Sequence, residues 1–131
     1  MKANPAILIA DKNVHAGQQI WDLLKNQGFT LDLEASLAID PVKIIIEDRA
    51  AKGSEATSVG GVIIAHTFEE EGDGLATAKQ IRDEYRLPIV VAVEEGQAAE
   101  DFHTICKPYQ LLKKRGLNRV LKPIKEAFAA L

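Results

Sequence analysis

The chain has 131 residues, 47% of them hydrophobic, and a formal net charge of −3 at pH 7. This length suits one domain, predicted over residues 1–131, and the apolar content is enough for a core and too high for a disordered chain. The mixed charges form no broad basic surface, which argues against direct binding to nucleic acid or to a membrane. No segment has the length of a signal peptide or a membrane span, so we expect a soluble, cytoplasmic protein. The single cysteine, Cys106, excludes an intrachain disulfide and a multi-cysteine zinc site.

The first predicted elements are two strands separated by a helix. Ala6–Ala10 is a continuous apolar run that ends at Asp11, and such runs are typical of strands buried on both faces of a parallel sheet. Apolar residues at helical spacing follow, and Gly28 is expected to end that helix. Residues 29–33 alternate between apolar and polar side chains, which predicts the second strand.

The middle of the chain predicts a second helix and a third strand. Asp40 and Pro41 suit the N-cap and the first position of a helix that ends near Gly53. The β-branched triplet at 44–46 also suits a strand, so this segment has two interpretations. Residues 62–65 predict the third strand, and an acidic loop follows it.

The alternation of strands and helices continues in the second half. Residues 75–85 have helical spacing after Asp73 and Gly74, and residues 88–93 form the most apolar predicted strand. This order predicts a parallel sheet covered on both faces, with its functional groups at the carboxyl ends of the strands. The side chains expected at that edge are Asp11, Lys12, His66, Thr67, Val93 and Glu94.

Three segments resemble the receiver domains of bacterial response regulators. They are residues 7–13 (ILIADKN), 73–75 (DGL) and 87–91 (LPIVV), and a lysine–proline pair near the C-terminus completes the set. Their order and spacing extend the resemblance over nearly the whole chain. The resemblance implies a doubly wound, five-stranded parallel sheet with helices on both faces, a flavodoxin-like fold, and a role in two-component signal transduction.

The sequence differs from that family at the positions that carry out phosphorylation. Active members have two adjacent acidic residues after the first strand, a phosphorylated aspartate after the third and a hydroxyl residue after the fourth, and their carboxylates hold Mg²⁺. Here Lys12 replaces one acidic residue beside Asp11, His66 stands at the phosphoacceptor position and Val93 at the hydroxyl position. One carboxylate beside a cation is a poor site for Mg²⁺. We therefore expect a degenerate phosphorylation pocket with no catalytic residue, metal or cofactor.

Active members also carry a lysine before a proline after the fifth strand, and here this lysine has two possible positions, because lysine–proline pairs begin at both Lys107 and Lys122. The first position makes residues 103–106 the fifth strand, shortens the predicted fourth helix and leaves a long C-terminal helical region. The second makes residues 117–121 the strand and places Pro108 inside a helix, which is costly. The first position is favoured slightly.

Individual residues of the degenerate pocket have more than one interpretation. His66 either fills the former acidic pocket or acts as an alternative phosphoacceptor or a pH-sensitive group. Asp11 either retains weak cation binding or pairs with a lysine or a nearby backbone amide. The basic cluster of Lys113, Lys114 and Arg115 is either a solvated helix end or part of a surface that binds an acidic partner.

Together these features predict a pseudo-receiver that is not an enzyme and acts by phosphorylation-independent protein–protein interaction. Its partners would be other proteins or an attached effector domain, and a homodimer is possible. In the receiver family the face formed by the fourth helix, fifth strand and fifth helix commonly binds partners, which implies residues 100–131 here. The alternatives are a domain that senses a small anion or metabolite beside Lys12, and a phosphoreceiver with a non-standard acceptor.

Overall fold

The computed structural model describes residues 6–28, 31–34, 59–94, 96–106 and 115–129. Within these ranges the chain alternates between strands and helices, as the sequence predicts. The elements are β1 (Ala6–Ala10), α1 (Val14–Lys25), β2 (Leu31–Glu34), β3 (Val59–Ala65), α2 (Asp73–Tyr85), β4 (Ile89–Val93), β5 (His103–Cys106) and α3 (Arg115–Ala127). The helix predicted from Asp40 to Gly53 lies outside the described residues.

The five strands form one sheet in the order β2-β1-β3-β4-β5, and every neighbouring pair is parallel. The chain therefore moves from β1 outward to β2, returns past β1 to β3, and continues outward to β5. This arrangement confirms the predicted doubly wound, five-stranded parallel sheet. It also brings the carboxyl ends of all five strands to one edge.

Helices pack on both faces of the sheet, and each face has its own apolar core. On one face, α1 and α3 pack against the sheet. The buried residues that α1 and α3 contribute to this core are Ala16, Ile20, Leu24, Val120, Leu121 and Ile124, and Phe128, directly after α3, joins them. On the other face, Ala78 and Ile81 of α2 pack against β1, β3 and β4, with Phe68 and Ala99 completing the core.

β3 begins at Val59, three positions before the predicted start at Val62, so Gly60 and Gly61 belong to the strand rather than to a loop before it. The reason lies in the packing of the C-terminal helix. The ring of Phe128 occupies the space that a side chain at position 61 would need, and Phe128 is only 1% exposed. The glycine is therefore used inside a strand for close packing, which periodicity alone does not reveal.

The connection between β4 and β5 is shorter than expected for parallel strands. No helix occurs in the described part of this connection, so the predicted short fourth helix is not found at 94 or 96–102. A crossover between parallel strands usually takes a dozen or more residues, and this connection has less room than that. It turns instead through backbone hydrogen bonds from Gln97 to Glu94 and from Phe102 to Ala99, each 3.0 Å long.

The C-terminal helix α3 contains a proline, Pro123, in its interior. Proline removes one intrahelical hydrogen bond, at a typical cost of about 3 kcal/mol. The burial of Val120, Leu121 and Ile124 on the same helix offsets this cost, because each side chain is at most 5% exposed. Among the described helices, none is both long enough and apolar enough to cross a membrane.

Candidate functional site

The sheet register brings the predicted site residues to one edge. Ala10 is paired with Ile64, and Ala65 is paired with Ala92. Asp11 therefore follows β1 beside the end of β3, where His66 continues the chain. His66 in turn lies level with Val93, the last residue of β4, because its N–H donates to the carbonyl of Ala92. Three of the predicted pocket residues thus lie at the carboxyl ends of three adjacent strands.

Asp11 is buried, with 3% of its surface exposed. Its Oδ1 accepts a hydrogen bond of 2.9 Å from the backbone N–H of Asn13. Asn13 is itself the N-cap of α1, and its side chain accepts from the N–H groups of His15 and Ala16. Asp11 therefore helps to hold the turn between β1 and α1, in agreement with the interpretation that it pairs with a nearby backbone amide. The neighbouring Lys12 side chain is exposed.

His66 fills the predicted phosphoacceptor position and is only 6% exposed. Its backbone N–H donates to Ala92 at 2.8 Å, and its carbonyl accepts from the N–H of Leu75 at 3.0 Å. The ring lies against the turn into α2, since a Cβ at Gly72 would sit 3.9 Å from Cε1 of the imidazole. Nδ1 lies 2.9 Å from Oγ1 of Thr67. The side chain is therefore packed and hydrogen-bonded within the protein.

Thr67 and Gln97 connect the loop after β3 to the loop after β4. Oγ1 of Thr67 accepts from the backbone N–H of Gly72 and from Nε2 of Gln97, both at 3.1 Å. Oε1 of Gln97 accepts from the N–H of Glu94 at 2.9 Å. Nε2 of Gln97 also lies 3.4 Å and 3.5 Å from the two carboxylate oxygens of Glu71. We call this set of hydrogen bonds, centred on Thr67 and Gln97, the loop latch.

No pattern in the sequence predicts the loop latch. The sequence predicts Thr67 at the carboxyl edge of the sheet, but it does not indicate a contact between Thr67 and Gln97. The two residues are 30 positions apart, so their contact depends on the path of the short β4–β5 connection. No local pattern in the sequence indicates that path.

Asp73 organises the acidic loop that precedes α2. Its carboxylate accepts from three backbone N–H groups, at 2.7 Å from Phe68, 3.0 Å from Glu69 and 3.1 Å from Glu70. Burial raises the pKa of this carboxyl, but the backbone hydrogen bonds outweigh burial and hold the pKa below its ordinary value of 3.8. The side chains of Glu69 and Glu70 are exposed, as predicted for a solvated loop.

Gly74 allows α2 to approach the end of β3. A Cβ at this position would overlap the carbonyl oxygen of Ala65 and would lie 2.9 Å from that of His66. The same close approach forms the hydrogen bond from Leu75 to His66. The neighbouring pair Asp73 and Gly74 therefore has a structural purpose that is independent of phosphorylation.

The remaining predicted site residues are located only in part. Val93 is buried and packs in the apolar core beside α2, so it presents no hydroxyl to the pocket. β5 ends at Cys106, immediately before Lys107, whereas Lys122 lies inside α3 with its side chain exposed. Lys122 therefore does not follow the fifth strand, which corrects the alternative position. Lys107, Lys113 and Lys114 lie outside the described residues, and Arg115 is the first residue of α3.

The donor groups at this edge do not fit the Mg²⁺ site of active receiver domains. Mg²⁺ prefers oxygen ligands in octahedral geometry. Here the described ends of β1, β3 and β4 provide the carboxylate of Asp11, an imidazole at His66 and an aliphatic side chain at Val93. Within the described ranges, no group of three histidine, cysteine or acidic residues is placed to hold a metal ion.

Comparison with known proteins gives structural matches only. No protein-family model matches the chain, and no curated protein sequence matches it. The receiver domain of NtrX from Brucella abortus has 21% identity and a TM-score of 0.71, with coverage of 95% of this chain and 99% of that one. The signal receiver domain of an HD domain-containing protein from Pseudomonas fluorescens Pf-5 has 16% identity, a TM-score of 0.73, and coverage of 99% and 90%.

A third match is HP1043, an orphan response regulator of H. pylori, with 17% identity, a TM-score of 0.66, and coverage of 97% of this chain and 98% of that one. All three matches extend over nearly the whole chain at low sequence identity. This combination shows a shared fold, and it agrees with the strand order and the doubly wound topology described above. The chain has the fold of response-regulator receiver domains.

Proposed function

We propose that this chain is a pseudo-receiver, a regulatory domain of cytoplasmic signal transduction that acts through phosphorylation-independent protein–protein interaction and has no enzymatic turnover. The observation that carries the proposal is the environment of His66. A buried imidazole occupies the place of the phosphorylated aspartate, and its ring is hydrogen-bonded to the adjacent loop. An acyl phosphate requires a carboxylate at that position, and none is present there.

The other pocket residues support the same conclusion. Asp11 accepts a backbone hydrogen bond in the turn before α1, so one of its oxygens already has a structural role. Val93 cannot donate a hydrogen bond to a phosphoryl oxygen, because its side chain is aliphatic and buried. The features that remain from the receiver pattern, Asp73 and Gly74, stabilise the fold locally. The fold is thus maintained, while Lys12, His66 and Val93 stand at three of the positions that serve phosphorylation in active members.

A phosphodonor experiment tests this proposal. The purified protein is incubated with acetyl phosphate and Mg²⁺, and its intact mass is measured at neutral pH, where a phosphohistidine survives. We expect the mass to remain unchanged. A stable gain of one phosphate would contradict the proposal, and its loss in His66→Ala would identify the imidazole as the acceptor.

The partner surface is proposed at residues 100–131, and Lys113, Lys114 and Arg115 are the basic cluster within that range. A basic cluster favours an acidic partner surface and accelerates its association. Charge reversal at Lys113 and Lys114 should weaken partner capture in a pull-down, whereas His66→Ala should leave it largely intact. Lys25→Glu is the matched control, because Lys25 is an exposed lysine in the last turn of α1, outside residues 100–131. Equal capture by the charge-reversed and control variants would contradict this surface.

A further inference from the structure

The hydroxyl group of Thr67 has three hydrogen-bonding neighbours, and one of them is Nδ1 of His66. A threonine hydroxyl has one proton to donate and two lone pairs that accept. Two of its three neighbours, the backbone N–H of Gly72 and Nε2 of Gln97, can only donate, and each lies 3.1 Å from Oγ1. Both lone pairs are therefore used. The hydroxyl proton must point to the third neighbour, Nδ1 of His66, at 2.9 Å.

The orientation of the Gln97 side chain is fixed by its other end. Oε1 lies 2.9 Å from the backbone N–H of Glu94, which can only donate. The amide oxygen must face Glu94, and the NH₂ group must consequently face Thr67. The donors and acceptors of the loop latch thus form one self-consistent set.

From this set we infer that His66 is neutral, carries its proton on Nε2, and acts as a proton-sensitive release for the loop latch. When Nδ1 gains a proton it becomes a donor, and Oγ1 of Thr67 then faces three donors with two lone pairs. One hydrogen bond must break, and the hydroxyl proton loses its acceptor. Protonation of a single imidazole therefore uncouples the loop after β3 from the loop after β4.

The hydrogen bond that breaks is the one from Nε2 of Gln97 to Oγ1 of Thr67. The N–H of Gly72 belongs to a backbone turn with a φ of 81°, which is fixed by the loop into α2. Gln97 is a side chain with rotatable bonds, and its Nε2 has a second acceptor nearby in the carboxylate of Glu71, at 3.4 Å. Rotation toward Glu71 relieves the excess of donors at Thr67 at small cost.

The charged groups around His66 come from each neighbouring element. Asp11 and Lys12 follow β1, Glu71 precedes α2, Asp73 begins α2, and Glu94 follows β4. Among these described groups the acidic ones outnumber the single cation. The release does not depend on the partner binding proposed above.

Nuclear magnetic resonance tests the release directly. The imidazole ¹⁵N shifts of His66 report its tautomer, and the side-chain NH₂ signals of Gln97 report the latch, as the sample is titrated from about pH 8 to about pH 5, the range in which histidines ordinarily titrate. At the alkaline end we expect the proton on Nε2. On acidification the Gln97 signals should shift with the same midpoint as the His66 ring.

Three variants test whether protonation of His66, acting through Thr67, causes the change in the Gln97 signals. Thr67→Val removes the shared hydroxyl and should abolish the response of Gln97 to pH. Glu71→Gln replaces the nearby carboxylate with an amide, which does not titrate but keeps an oxygen that can accept from Nε2 of Gln97, so the response should persist. His15→Gln changes an exposed histidine on α1 and should also preserve it. A proton on Nδ1 at the alkaline end, or Gln97 signals that ignore the His66 titration, would overturn the inference, and both readings come from the unmodified protein.

Discussion

At the scale of single residues, the acidic loop before α2 depends on one carboxylate. The carboxylate of Asp73 accepts hydrogen bonds from the N–H groups of Phe68, Glu69 and Glu70. Without it, these groups would be unpaired in a tight turn. A carboxylate that accepts several backbone hydrogen bonds is stabilised in its charged form. The same residue belongs to the first turn of α2, where negative charge is favourable.

Asp73→Asn should destabilise the protein by about 1–2 kcal/mol at neutral pH, because the three backbone N–H groups lose a charged acceptor. The folded-state pKa of Asp73 is lowered below 3.8. Its contribution is therefore fully present above the unfolded-state pKa and disappears as the pH falls through the folded-state pKa. Urea denaturation near neutrality and in acid measures the difference between wild type and variant, which should narrow in acid.

The control for this variant is Asp83→Asn on the exposed side of α2, where the carboxylate is 72% exposed and lies 3.4 Å from Nε of Arg82. Exposed pairs of this kind contribute little. We expect a change of about 0.5 kcal/mol or less. Equal destabilisation by the two variants would contradict the role assigned to Asp73.

Gly74→Ala should destabilise the protein by about 3 kcal/mol, because the new methyl group would overlap the backbone of Ala65 and push α2 away from β3. Gly28→Ala is the comparison: Gly28 has a φ of 84° but open space around it. That variant should cost only about 1–2 kcal/mol of backbone strain. If thermal or chemical unfolding ranks Gly28→Ala as the more harmful change, the close approach of α2 is not important for stability.

At the scale of elements, the C-terminal helix is anchored to β3 by Phe128, the residue that directly follows α3. The ring of Phe128 covers Gly61, and Val120 and Ile124 bury the same face of the helix. This contact explains two features that would be unfavourable alone. A glycine lies inside a strand, and a proline, Pro123, lies inside a helix.

Phe128→Ala should destabilise the protein by about 3–5 kcal/mol, since it removes a fully buried ring and leaves a cavity against the sheet. Gly61→Ala should also destabilise it, because the methyl group would meet the ring. The double variant Gly61→Ala with Phe128→Leu should lose less stability than the sum of its single changes, as expected for residues in contact. Strict additivity in chemical denaturation would show that the two residues do not share this space.

The elements themselves were predictable where a strong pattern was local. The strand Ala6–Ala10 has the predicted bounds, and β4 and α2 differ from their predictions by one or two residues at one end. The start of β3 was wrong because Gly60 and Gly61 usually indicate a loop, and their place in the strand depends on a distant phenylalanine. The described part of the β4–β5 connection has no helix because few residues separate the two strands, and this depends on where the strands lie in the sheet.

At the scale of the whole molecule, the parallel sheet and its carboxyl edge were predictable because they follow from the alternation of elements. That edge brings Asp11, His66 and Val93 to adjacent strand ends, as expected from the sequence. Apart from the pairing of Asp11 with a nearby backbone amide, the contacts of these residues were not predictable. They depend on loop paths, as the latch between Thr67 and Gln97 shows. The degenerate pocket was inferred from residue types alone, whereas its internal hydrogen bonds come from the structure.

The proposed function requires that the pocket at the carboxyl edge of the sheet does not bind a phosphoryl group together with Mg²⁺. The most direct test is a thermal melt with and without Mg²⁺ and beryllofluoride, a mimic of the receiver acyl phosphate, with Mg²⁺ alone as the control. A ligand that binds only the native state raises the melting temperature. We predict no shift beyond that of the control. A clear upward shift that disappears in Asp11→Ala would show that the pocket still binds a phosphoryl group and its metal, and would contradict the account.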